Sequence, residues 1–436
     1  MFQIFVSSWR ILELRKKILY TLLMLFLFRL CVYIPTPGVD PQAVSKAVSG
    51  SLLGIIDVIT GGSLEKYTFM AMGITPYINA SIILQLLQVV IPKLERLSKE
   101  GPEGRAKINQ YTRYSAIGLA FVQAVGICYS FEAGGNSVIA SSFANMQWFA
   151  YIMIGVSLTA GTALAIWMGE RITEKGLGNG MSMLIFMGIV AKLPATAAAY
   201  VDATKNDSRL WWYVPLILAG ILALIVFIIF VDLGERRIPI QYAKRVSGRK
   251  VYGGQSTYMP LKPNSGGVLP LIFAISLLSF PSIVTQIFAV NSGFATFYKT
   301  WMSSGTWGYA IASVFLIIGF AFFYSAITFN PEETAKDIQK YGGFILGIRA
   351  GKPTSDYLKK ISRRLVLFGG IFLTFIAVVP MVARATLGQM DNSSPVLKLA
   401  LTFGTTGILI MISVSVDVTK QLQSQMVMRH YKGFLD

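Results

Sequence analysis

The sequence predicts an all-α polytopic membrane bundle of ten crossings, and three observations carry that prediction. Hydrophobic residues fill 54% of 436 positions and charged residues only 14%, with a mean hydropathy of +0.58, far from the balance of soluble domains. Apolar windows long enough to cross hydrocarbon recur at about 18–35, 69–91, 114–131, 147–169, 177–200, 211–231, 268–290, 308–329, 365–383 and 396–416. The basic residues then alternate from loop to loop: 30 of the 39 Lys and Arg fall on one side of the ten segments and 8 on the other, with Arg29 inside the first. An even number of crossings puts both termini on one side, and the excess of positive charge makes that side cytoplasmic.

Each element has its own signal. Residues 1–17 form a basic cytoplasmic start, and the first segment follows Arg15, Lys16 and Lys17 without a small-residue cleavage site behind it, so it reads as a retained span. Arg29 lies near its outer end, where a long side chain snorkels to the interface. The second segment contains GITPYINASIILQLL (73–87), which carries Asn79, Ser81 and Gln85 at membrane depth, with Gln88 just beyond. At helical spacing, positions 74, 78, 81, 85 and 88 share one face that runs from two isoleucines into a serine and two glutamines. Such a face either lines an aqueous cavity, with an apolar constriction leading into a polar funnel, or bonds to neighbouring helices; spacing alone leaves both open.

Segments three to six follow from apolar runs separated by short polar connectors. Next comes a long basic loop, 234–267, in which RIPIQYAKRVSGRKVYGGQ places two alternating runs around Val246 to Gly248, as in a hairpin, with Arg249 and Lys250 just past the tip. After segments seven and eight, the loop 330–364 opens with Pro331, Glu332 and Glu333 as a helix start. It continues with Gly342, Gly343, Gly347 and Gly351 around Arg349 and Lys352. Basic, Gly-rich protrusions suit an acidic partner or RNA, although topology alone accounts for part of their charge. Segments nine and ten precede a cytoplasmic tail at 417–436.

The remaining special residues argue against catalysis. The single histidine, His430, lies in the tail, and no metal-ligand cluster or cofactor motif accompanies it. Cys31 and Cys128 read as structural thiols. GIRAGKPT is only superficially a phosphate-binding loop, because no glycine stands five residues before Gly351. Spanning segments hold few carboxylates, and Asp417 sits at a cytoplasmic helix end, which leaves little for a coupling-ion transporter; an intramembrane enzyme would need a nucleophile or paired aspartates at depth.

Five motifs go further. GITPYINASIILQLL, KEGPEGRAKINQYTRY (99–114), GERITEKGLGNG (169–180), YAKRVSGRKVYGGQSTYMPLK (242–262) and the glycine-flanked Arg349 loop resemble, in order and over essentially the whole chain, the bacterial SecY family of protein-conducting channels. The resemblance implies two inverted halves, 18–200 and 211–416, joined by an external hinge at 201–210 and forming a clamshell around a central pore. The clamshell would open sideways between segments two and seven. It implies a pore ring of Ile74, Ile78, Met181, Ile185, Ile272 and Ile410, where Met181 departs from the usual branched residue. Asn79, Gln85 and Gln88 would belong to the funnel and lateral gate. A plug at about 52–63 would include Leu52, Leu53, Ile55 and Ile56, and Arg249, Lys250, Arg349 and Lys352 would dock partners. Around Arg349 the family usually reads IRPG and this chain reads IRAG, which softens the loop. The implied function is passage of unfolded secretory chains across, and of hydrophobic segments into, the bacterial inner membrane. The implied partners are a SecA motor ATPase or a ribosome, small SecE-like and SecG-like subunits, signal-bearing preproteins and the lipid bilayer, with no cofactor.

Overall fold

The computed structural model describes residues 7–39, 63, 66–133, 139, 146–206, 213–242, 245–247, 250–252, 256–264, 266–288, 293–302, 306–387 and 405–432. The first half contains α1 (Leu12–Cys31), α2 (Thr75–Val90), α3 (Pro92–Lys99), α4 (Pro102–Ala133), α5 (Gln147–Lys175) and α6 (Gly180–Asn206). The second contains α7 (Tyr213–Leu233), α8 (Leu269–Phe288), α9 (Gly293–Trp301), α10 (Trp307–Thr328), α11 (Pro331–Lys340), α12 (Lys352–Leu387) and α13 (Thr405–Lys432). Among the described residues, each of the ten expected segments overlaps a helix. Among the described residues, by length and composition alone, the helical stretches Gln147–Lys175, Trp307–Lys340 and Lys352–Val379 suffice to cross a membrane, and α2 with α3 makes a fourth if the bent pair is one span. Shorter apolar helical stretches occupy Gly180–Pro194, Ala219–Leu233 and Leu269–Leu278.

The boundaries differ from the sequence reading in instructive ways. Residues 69–74 are turns, Gly73 adopts φ +51°, and Pro76 pre-sets the first turn of a helix that begins only at Thr75, so Ile74 is the N-cap of α2. At the other end Pro92 forces Ile91 into extended backbone, and α3 departs at 102° to α2. The expected hinge loop at 201–210 is helical through Asn206, because the alanine-rich run after Pro194 continues α6. Nor is the tail at 417–436 a separate segment, since α13 runs unbroken to Lys432.

Packing divides as two halves. Within the first, α4 lies between α2 and α5, and α1 leans on α5 and α6; within the second, α10 packs on both α8 and α12, and α13 on α7 and α12. The halves meet where α8 crosses α2 and α4, and again where α13 contacts α6. Phe273 of α8 and Phe320 of α10 stack edge to face at 5.9 Å inside the main apolar core.

Outside this bundle the two basic loops merge. Strand β1 (Arg236–Tyr242) pairs antiparallel with β4 (Ser256–Leu261), while β2 (Arg245–Ser247) and β3 (Lys250–Tyr252) form the hairpin tip. A third strand from the distant loop, β5 (Gly343–Ile345), joins the free edge of β1, giving the order β4-β1-β5. Ile238 and Ile240 alternate inward from β1 and pack with Ala335 and Ile338 of α11, Ile345, and Leu358 of α12. Asn330 caps α11, its Oδ1 accepting from the amides of Glu332 at 3.1 Å and Glu333 at 3.4 Å.

Candidate functional site

The motif at 169–180 is a closed turn between α5 and α6. Asn179 Oδ1 accepts from the amides of Met181 (3.0 Å) and Ser182 (3.4 Å), capping α6, and the Gly180 amide donates to Thr173 Oγ1 at 2.9 Å. The turn is tied to both ends of the chain: the Leu177 amide donates to Thr21 Oγ1 of α1 at 3.0 Å, and the Gly178 amide donates to Gln421 Oε1 of α13. Arg113 in the second motif reaches Glu170 in this one at 2.9 Å. A methyl group on Gly180 would collide with the carbonyl of Gly169. Gly180→Ala should therefore lower stability by about 3 kcal/mol or more, since backbone cannot step aside. Gly118→Ala on α4, where the new methyl meets nothing within 4 Å, should cost nothing. Thermal unfolding of the two purified variants makes the comparison.

Capping at Asn179 starts α6 with Met181 and Ile185 on the side that faces the core. Ile74, Ile185, Ile272 and Ile410 are buried in one apolar cluster, with half-buried Ile78 and Met181 packed against it. Four helices, α2, α6, α8 and α13, thus contribute all six residues expected of a ring. Met181 also fits against Gly169, where a Cβ would meet its sulfur, which explains how an unbranched thioether is seated here. Ile185, Ile272 and Ile410 border a cavity of about 260 Å³. The rest of its wall is mixed: Val268, Leu269, Tyr324 and Val414 share it with Asn179 and Ser182 from α6, Asp232 from α7, Lys262 and Asn264 from the chain entering α8, and Ser413, Asp417 and Lys420 from α13.

The electrostatics of this cavity show how close the charges stand. Burial pushes the Asp417 carboxyl above the usual carboxylate range, and Lys420 and Lys262 pull it back. Burial likewise pushes the Lys420 ammonium down, Lys262 adds to that, and Asp232 and Asp417 oppose it. Sequence reasoning set Asp417 aside as a helix-end charge and did not single out Asp232, Lys262, Asn264 or Lys420. The only available hint was that the third and fourth motifs end at Gly180 and Lys262, beside this cavity.

The polar face of α2 is half-buried at Asn79, Ser81, Gln85 and Gln88. Gln85 Nε2 donates to Ser81 Oγ at 3.1 Å, a bond within the helix rather than across to another. On the platform outside the bundle Arg349 and Lys352 are exposed. Thr354 Oγ1 donates to the Arg349 carbonyl at 2.8 Å, so the loop is anchored despite Ala350. Lys250 lies in β3 at the hairpin tip. Leu52, Leu53, Ile55, Ile56 and Arg249 lie outside the described residues.

A family model described as SecY matches residues 68–419. The chain is 43% identical to the protein translocase subunit SecY of Streptomyces griseus over 444 residues, covering 100% of both chains. It is likewise 43% identical to that of Mycobacterium bovis over 453 residues, again covering 100% of both. The chain belongs to the SecY family.

Solved structures agree on the fold of this SecY-family chain. One described as a protein conducting channel superposes with a TM-score of 0.66 at 18% identity, covering 95% of this chain and 93% of that one. Sec61 in a canine ribosome–channel complex superposes with a TM-score of 0.63 at 17% identity and the same coverage. The ten-helix clamshell expected from sequence is the SecY fold.

Proposed function

We propose that this chain is a protein-conducting channel in a bacterial inner membrane, with Ile74, Ile78, Met181, Ile185, Ile272 and Ile410 as its constriction. What supports the reading is that these six residues, from four helices and both halves, belong to the main apolar core and that three of them, Ile185, Ile272 and Ile410, border one cavity with polar groups in its wall. An apolar constriction excludes ions by dewetting when empty, whereas an extended polypeptide crosses only if its backbone polar groups stay hydrated on either side. The α2–α8 contact is the natural seam for sideways release, because a hydrophobic segment leaving there gains the transfer energy of its apolar surface. Asn79, Gln85 and Gln88 of α2 line the wet side of that seam, and a plug drawn from 52–63 closes the outer side.

The channel makes no covalent change in its cargo, so the work comes from outside. A motor ATPase of the SecA kind or a ribosome docks on the two basic loops, 234–267 and 330–364, at Arg249, Lys250, Arg349 and Lys352. Small subunits of the SecE and SecG kind flank the bundle. Reconstitution of the purified chain with those subunits, motor, ATP and a signal-bearing precursor in vesicles tests the function: the precursor should become protease-protected, and persistent sensitivity would reject the channel.

Orientation has its own test. Positive charge on the platform side predicts that a single cysteine replacing Lys336, exposed on α11, reacts with an impermeant thiol reagent only from the cytoplasmic face. One replacing Thr300, exposed on α9, should react from outside; the background lacks Cys31 and Cys128. Reversed labelling would invert the topology and remove the platform from the cytoplasm.

A further inference from the structure

Helix α9 (Gly293–Trp301) is too short to be a span: its 9 residues reach about 14 Å, half the thickness of hydrocarbon. It packs against α8 and α10. Because α10 leads at its other end into α11 of the platform, α9 sits on the opposite side of the bundle from the platform. At helical spacing the run GFATFYKTW has three sides. Tyr298 is buried toward the bundle, Thr296 and Thr300 lie exposed on the side turned away from it, and Phe297 and Trp301 project laterally between the two, each more than half exposed.

The aromatic side is held in place by backbone contacts. The Tyr298 hydroxyl donates to the Leu278 carbonyl of α8 at 3.2 Å. The Trp301 carbonyl accepts from Oγ1 of Thr306, the cap of α10, at 2.8 Å. Gly308 approaches that same carbonyl so closely that a Cβ there would collide with it, which also brings Trp307 near Trp301. The exposure of Phe297 and Trp301 is therefore built into the fold.

What this side meets is read from α10. Trp307, Ile311 and Phe315 follow one another at four-residue spacing and are each more than half exposed, whereas Tyr309, Ser313, Ile317 and Phe320 of the same helix are buried. This helix belongs to a stretch long and apolar enough to cross a membrane, so its exposed stripe meets acyl chains. Trp301 and Phe297 stand where that stripe ends, at the depth where hydrocarbon gives way to headgroups. Aromatic side chains suit this depth, because the indole buries its ring and keeps its N–H among polar groups. Left in water, the same cluster would be an exposed apolar patch. Lipid is the partner whose surface already runs up to it.

We propose that α9 is an interfacial membrane helix whose Phe297 and Trp301, with Trp307 of α10, insert into the headgroup–acyl boundary of the leaflet remote from the platform. The partner is the phospholipid surface, engaged through apolar area and to a depth of about 5–10 Å. Thr296 and Thr300 stay in water above it. The proposal goes beyond the channel reading and does not depend on it.

The test reads depth. Phe297→Cys, Trp301→Cys and, on the polar side, Thr296→Cys each carry an environment-sensitive fluorophore in the full chain lacking Cys31 and Cys128, reconstituted in phosphatidylethanolamine–phosphatidylglycerol vesicles. Lipids brominated near the glycerol end of their acyl chains should quench the probes at 297 and 301, while iodide on both sides of the bilayer should not; at 296 the order should reverse. Iodide quenching at 297 and 301 equal to that at 296 overturns the proposal. Protection from both quenchers overturns it too, since protein would then cover the face, and so does stronger quenching by bromines at the chain ends, which would place the helix in the hydrocarbon core. A measurement without labels guards against displacement of α9 by the probe: Trp301→Phe with Trp307→Phe removes two of the 7 tryptophans, and the share of intrinsic emission quenched by glycerol-end bromines should fall. An unchanged share overturns the proposal. None of these readings involves transport, so their failure leaves the channel reading standing.

Discussion

Vesicles carrying Ile78→Gly together with Ile272→Gly should leak ions and small solutes while the wild-type channel stays tight. The two side chains come from opposite halves, Ile78 from α2 and Ile272 from α8, and both belong to the main apolar core. A constriction excludes ions only while its lining stays dry; deleting two branched side chains from opposing walls widens it and exposes peptide groups to which water can bond. The double variant also loses packing, at roughly 2–5 kcal/mol for each large core truncation, so folded protein must be quantified before conductance is compared. Glycines at Val226 and Phe230, exposed on α7, give the matched control, since their removal leaves the ring intact. Unchanged conductance in the well-folded double variant would return Ile78 and Ile272 to the status of ordinary core.

Motor-driven export should fall steeply in Arg349→Glu, while membrane insertion, protein level and the closed-channel seal stay normal. Arg349 is exposed, its carbonyl is held by Thr354, and β5 ties its loop to the hairpin platform, so the side chain projects from a fixed base and reversing its charge leaves the fold alone. Replacing an attraction by a repulsion at a desolvated contact costs on the order of 2–5 kcal/mol, or roughly 30-fold or more in affinity. Lys352→Glu is the control within the same loop. It begins α12, where an acidic residue complements the helix dipole better than lysine does, so it should be about 0.3–1 kcal/mol more stable. Precursor protection in vesicles separates the cases: equal loss in both variants would mean that only the general charge of the platform matters, and no loss in either would end the docking role.

How much of this was legible in the chain follows from the range of the forces involved. Ten apolar segments, the charge asymmetry and the polar stripe of α2 are local properties, because hydrocarbon thickness and helical period act on consecutive residues. The sequence reading therefore put a helix at every expected segment, and it recognised Pro331, Glu332 and Glu333 as the start of α11. It erred where a local rule met a longer-range one. Residues 69–74 are apolar enough for a span, but Gly73 and Pro76 delay the helix to Thr75; the hinge at 201–210 and the tail after 416 look polar enough for loops, yet α6 continues to Asn206 and α13 to Lys432. The seam between α2 and α8 depends on contacts between segments nearly two hundred residues apart.

The platform outside the bundle belongs wholly to tertiary structure. Nothing in Gly343–Ile345 announces that these three residues will hydrogen-bond to β1 a hundred residues earlier, since a strand edge is completed by whatever backbone reaches it. The cavity is the stronger case: Asp232, Lys262, Asp417 and Lys420 each look like a solvated charge at a helix end when read singly. What the sequence by itself determined is a membrane bundle and the family whose motifs it bears. Only the packed structure decided which charges face one another across an open space, because a hydrogen-bonding site is a property of distances between elements and no local pattern encodes those distances.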